Sequence, residues 1–120
     1  MPGPYAFAGS ETIASPALIY YRKQIEENTR MAIEMAGGAD RLWPHVKTHK
    51  TAEVIRMSMA LGITRYKCAT IAEAEMTAAC GASHIVLSYP LIGPNVARFL
   101  ALVRLFQKRI FMLSVTIQGH

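Results

Sequence analysis

From Leu42 onward the chain alternates short apolar, β-branched runs with amphipathic stretches, and this alternation limits the possible folds more than any other feature. Leu42–Thr48, Thr64–Ala69, His84–Tyr89 and Ile110–Ile117 read as strands, and their starts recur at intervals of about 20–26 residues. Between them, Thr51–Leu61, Thr70–Ala79 and Asn95–Gln107 carry apolar residues at helical spacing. Upstream, residues 1–15 read as an extended lead-in. Ala17–Tyr21 is a strand candidate, and Tyr21–Met35 a helix with Ile25, Met31, Ala32 and Met35 as its apolar positions. Helix boundaries are marked by Gly37-Gly38, Gly62 and Gly81 as stops and by Gly93-Pro94 as a start. Thr70-Ile71-Ala72-Glu73 matches a capping box, in which the hydroxyl takes the amide of the fourth residue and the carboxylate reaches back.

Strand–helix alternation builds parallel βαβ units, which close either as a doubly wound sheet or as a (β/α) barrel. The glycine fingerprint of dinucleotide binding and the phosphate loop of nucleotide hydrolases are both absent from the sequence. The barrel is therefore the expected α/β architecture. A full barrel needs about 250 residues, whereas this chain has 120. Four barrel strands would leave bare sheet edges and an uncovered inner face. The chain is thus expected to be the N-terminal half of a barrel domain over residues 16–120, from a longer or truncated protein.

Composition narrows the function classes. The net charge is +5, but the 13 Lys and Arg are scattered without a run and do not interleave with aromatic residues. Nucleic acid is not an expected partner. No stretch is long and apolar enough to span a bilayer, and the N-terminus lacks the pattern of a secretory signal. With two unpaired-looking cysteines, Cys68 and Cys80, read as small buried hydrophobes, a reducing cytoplasmic location is the default.

The chemistry concentrates in Pro44-His45-Val46-Lys47-Thr48-His49-Lys50. A lysine crowded by other cations and partly desolvated becomes a usable amine nucleophile, and Lys47 is the candidate. Strand alternation places His45, Lys47 and His49 on one side. The two histidines would stand about 13 Å apart in an extended chain. They are therefore read as residues that tune Lys47 or a bound ring by hydrogen bonds, and not as a shared metal site. Lys50 is the rival amine, placed where a loop begins. His84 is read as a strand-start residue, Glu73 as a helix cap and the seven methionines as core filler.

Leu42-Trp43-Pro44-His45-Val46-Lys47-Thr48-His49-Lys50-Thr51 resembles the R-P-H-x-K-T-H-K-[TS] signature of the D-threonine aldolase and D-serine dehydratase family, pyridoxal-phosphate enzymes of the alanine-racemase barrel type. In order along the chain, Ser15–Ile19 resembles the family's T-P-A-L-L-V strand and Glu27–Met31 its x-N-I-x-R-M helix. Tyr66–Glu75 resembles its second barrel strand with the E-A-E helix start, and Tyr89–Pro94 the loop after the third. The resemblance spans about Thr12 to Thr116. It implies a Schiff-base lysine at Lys47, with His45 and His49 beside the cofactor. It also implies a lyase reaction on D-3-hydroxy amino acids: aldol cleavage, or dehydration in the dehydratase branch. A homodimer is expected for the full-length family. So is a divalent metal, whose ligands lie in a C-terminal domain with no counterpart here, so none is assigned. Most relatives continue from the strand at Phe111–Ile117 into an Asp; here Gln118-Gly119-His120 follow. A non-catalytic pyridoxal-phosphate-binding protein and an inactive fragment remain open readings, and the 120-residue chain alone is expected to turn over weakly or not at all.

Overall fold

Three short parallel strands form the sheet, each delivered by a helix that crosses the same face. The computed structural model describes residues 21–47, 49, 51–89 and 91–114. The lead-in, the strand expected over Ala17–Tyr21 (but for its last residue), Thr48, Lys50, Pro90 and the end of the strand expected to reach Ile117 lie outside the described residues. Helix α1 spans Arg22–Ala36 and is followed by a single 3-10 turn, Ala39–Arg41. Then come α2 (Ala52–Ala60), β1 (Arg65–Cys68), α3 (Ile71–Cys80), β2 (His84–Leu87), α4 (Pro94–Leu105) and β3 (Ile110–Leu113). The sheet order is β1-β2-β3, with Tyr66, Ile85 and Phe111 aligned across it.

Local chemistry sets the boundaries. Gly37 ends α1 with φ +86°, and Gly38 N–H reaches back to Ile33 O at 3.1 Å, a six-to-one bond that only a left-handed residue permits. At the start of α3, Glu73 N–H donates to Thr70 Oγ1 at 3.1 Å. The Glu73 carboxylate accepts from Ala69 N–H at 3.0 Å and from the Thr70 hydroxyl at 3.2 Å. The capping box thus forms with its return bond one residue earlier than the usual pattern. Glu73 is buried by this role.

Alternation along each strand splits the sheet into two unlike faces. Tyr66, Cys68, Ile85 and Leu87 are at most 1% exposed and pack with Ile55, Ile71, Ala74, Ala78, Phe99 and Leu102 of the helices. Burying a side chain such as Ile85 stabilises the fold by roughly 1.5–3 kcal/mol. The Tyr66 hydroxyl ties β1 to α2, sharing a hydrogen bond with Ser58 Oγ beside the carbonyls of Ile55 and Ile63 at 3.2 and 3.1 Å. On the opposite face Arg65, Lys67, His84 and Val86 are only half-buried.

Two expectations fail. The strand expected over Leu42–Thr48 shrinks to one parallel bridge, His45 with Lys67. Lys67 N–H donates to Pro44 O at 2.9 Å and Val46 N–H to Lys67 O at 2.8 Å. Pro44 has no N–H to offer, and the Lys47 N–H turns aside to His45 Nδ1 at 3.1 Å, a local bond that competes with a longer ladder. The methionines are not all core filler either: Met59 and Met76 pack on the core, but Met31 and Met35 of α1 stand exposed. The inward stripe of α1 runs through the half-buried Ile25, Thr29 and Ile33 instead.

Candidate functional site

Residues 44–46 lie along the free edge of β1, and every sequence-selected site residue that is described lies on this stretch or within three residues after it. Val46 is fully buried toward the helices, which sends its neighbours His45 and Lys47 to the other side. Lys47 is exposed in the turn that follows. The expectation of a partly desolvated amine is therefore not met, because no packed element encloses the side chain.

Both histidines hold backbone with the same ring atom. His45 Nδ1 accepts from Lys47 N–H, and His49 Nδ1 accepts from Thr51 N–H at 3.0 Å. A neutral ring bonded in this way carries its proton on Nε2, which is left to face other partners. The turn also means that the extended 13 Å spacing does not describe this segment. His45 and His49 instead line one groove of about 390 Å³ beneath α1, together with Trp43, Tyr66, Asn28 and Thr29. Lys47 is not among its lining residues. Both histidines thus border this groove, His45 from the strand edge, and Lys47 does not.

Burial holds the His49 imidazole below its ordinary range, opposed by the charge of the nearby Glu73 carboxylate. Its folded-state pKa is lowered, so its contribution to stability is present above the unfolded value of 6.5 and is lost as pH falls through the folded value. Wild type is therefore expected to weaken on acidification more than His49→Gln does. Urea midpoints of the two proteins at a series of pH values check this, and a gap that stays constant across the series would refute it.

Burial pushes the Cys68 thiol up to about 11, so it is a packing group and not a nucleophile. No group of three or more His, Cys, Asp or Glu among the described residues is arranged to hold a metal ion. No helix among them is long and apolar enough to cross a membrane.

Two residues near Lys47 were not selected from sequence. Lys67 pairs with His45 and leaves β1 on the face opposite Tyr66 and Cys68. Ser88 follows β2, continues its pairing through a bond from its N–H to Cys68 O at 2.9 Å, and has a buried hydroxyl without a hydrogen-bond partner. Two cations, Arg65 and Lys67, within one strand of a parallel sheet were the available signal for Lys67. Nothing in the sequence distinguishes Ser88 from an ordinary strand-end serine. No protein-family model, curated protein or solved structure matches the chain.

Proposed function

We propose that this chain is the N-terminal half of an alanine-racemase-type (β/α) barrel. In this reading it belongs to a pyridoxal-phosphate-dependent lyase acting on D-3-hydroxy amino acids, in the manner of D-threonine aldolase, with Lys47 as the amine that takes up the coenzyme. The observation that carries this reading is the position of Lys47. It follows directly on residues 44–46, which pair with the free edge of β1. The segment, β1, β2 and β3 lie side by side in chain order and run parallel. A barrel is wound this way, and its chemistry sits at the C-terminal ends of the strands. A doubly wound sheet would reverse its order and carry helices on both faces.

The residues at this strand end fit such a coenzyme in two respects. They offer an accessible primary amine at Lys47, and the next two strands carry a cation, Lys67, and a hydroxyl without a partner among the described residues, Ser88, suited to an anionic group. When bound, pyridoxal phosphate supplies an electron sink for the carbanion left as a bond to Cα breaks. Lys47 acts first as a nucleophile, through the lone pair of its unprotonated Nζ. Once displaced by the substrate amine, the same Nζ is free to carry a proton. His45 fixes the backbone at Lys47 through Nδ1, which sets where the side chain departs. Borohydride reduction of the chain with pyridoxal phosphate, followed by peptide mass mapping, tests the reading. One adduct at Lys47 supports it, and label spread over surface lysines defeats it.

A further inference from the structure

The sheet face away from the helices is cationic and has no acidic residue of its own. His45, Arg65, Lys67 and His84 lie on it, while residues 43–47, 65–69, 84–88 and 110–114 contain no Asp or Glu. Most of these side chains are already engaged. Arg65 donates to Asp40 O at 3.1 Å and stacks 5.6 Å from the centre of the Trp43 ring. His84 meets Trp43 edge-on and shares a hydrogen bond with Ser83. His45 is tied to the Lys47 amide. Lys67 differs: the residue as a whole is half-buried, and its side chain forms no ion pair or hydrogen bond with a described residue.

Ser88 presents the complementary defect. Its Oγ is enclosed and has no hydrogen-bond partner among the described residues, which is rare for a buried hydroxyl. Lys67 is in register with Val86, so Ser88, two residues on, falls on the same face of the adjacent strand. Strand spacing and rise put the two Cα atoms about 8 Å apart, within the span of a lysine side chain meeting a small ligand.

We propose that Lys67 and the Ser88 hydroxyl form an oxyanion site at the C-terminal end of the sheet, beside Lys47. The ammonium supplies charge and the hydroxyl supplies a donor. The group held is a phosphate ester or a carboxylate. This deepens the coenzyme reading, in which the oxyanion is either the coenzyme's phosphate or the substrate's carboxylate, but the site can be tested without that reading.

The test is an amide chemical-shift titration of the whole chain with inorganic phosphate and, separately, with acetate. A saturable shift centred on Lys67 and Ser88 is expected, and the anion that produces it identifies the source. Lys67→Met should weaken it about tenfold, the loss expected for one charge-assisted hydrogen bond. Lys67→Arg, which keeps the charge, should recover part of it, and Ser88→Ala should weaken it with the fold intact. No saturable shift with either anion overturns the proposal, as does a shift unchanged in both Lys67→Met and Ser88→Ala. Anion binding that needs Lys67, in a chain giving no pyridoxyl adduct at Lys47, would remove the coenzyme reading and keep this site. An adduct at Lys47 without anion binding would do the reverse.

Discussion

Lys47→Arg is expected to abolish the borohydride-stable pyridoxyl adduct, while Lys50→Arg and Lys67→Arg retain it. Arginine keeps the charge but cannot serve as an amine nucleophile. Because Lys47 is exposed and its N–H, not its side chain, makes the bond to His45, the fold should be left almost untouched. Stability within about 0.5 kcal/mol of wild type is the expectation for such a surface position. Full loss of label with an unchanged unfolding curve therefore isolates a chemical role. Equal labelling of wild type and Lys47→Arg would assign the modification to ordinary surface amines, and the lyase reading would fall with it.

The second large effect concerns which face of the sheet is the core. Ile85→Ala is expected to cost about 2–5 kcal/mol, since it removes three carbons from a site with no solvent exposure, packed against the helices. Val86→Ala, one residue on and half-buried on the other face, should cost well under half as much. Urea midpoints with unchanged slopes give both values. Equal costs would mean that the second face is covered as fully as the first.

Much of this fold could be read before the structure was known, and the reasons are local. Thr70 with Glu73 and the glycines at 37 and 81 act through their own backbone neighbourhoods, so α1 and α3 end within a residue or two of their expected limits. Strands β1 and β2 appeared where expected, trimmed at their ends, although only β2 carried a nearly continuous apolar run. What sequence could not settle was competition between local and distant bonds. The Leu42–Thr48 run has strand composition, yet the His45 ring captures the next amide but one and cuts the ladder short. Along α4, helical spacing groups Val96, Phe99, Leu100, Val103 and Phe106 into one stripe; Phe99 is buried as that spacing predicts, together with Leu102, but Val96 and Leu100 stand exposed. Helical spacing fits several adjacent stripes, and only packing against α3 selects one. For the site, the motif singled out Lys47 with its two histidines. It gave no hint that His45 would sit opposite Lys67, because that pairing depends on register between segments 22 residues apart.

Among the described residues, segment 44–46 joins the sheet through two backbone hydrogen bonds, anchored by one buried side chain, Val46. Strand β2, by contrast, is paired on both sides along its whole length. Local opening free energies follow such differences. The amide of Val46 should therefore exchange with solvent deuterium through a partial unfolding that leaves β1, β2 and α3 intact, whereas the amides of β2 should wait for global unfolding. The backbone that presents Lys47 is thus a separately yielding unit. It can shift at a fraction of the energy needed to unfold the sheet beside it, which under the proposed coenzyme reading would let a bulky aromatic aldehyde approach Lys47.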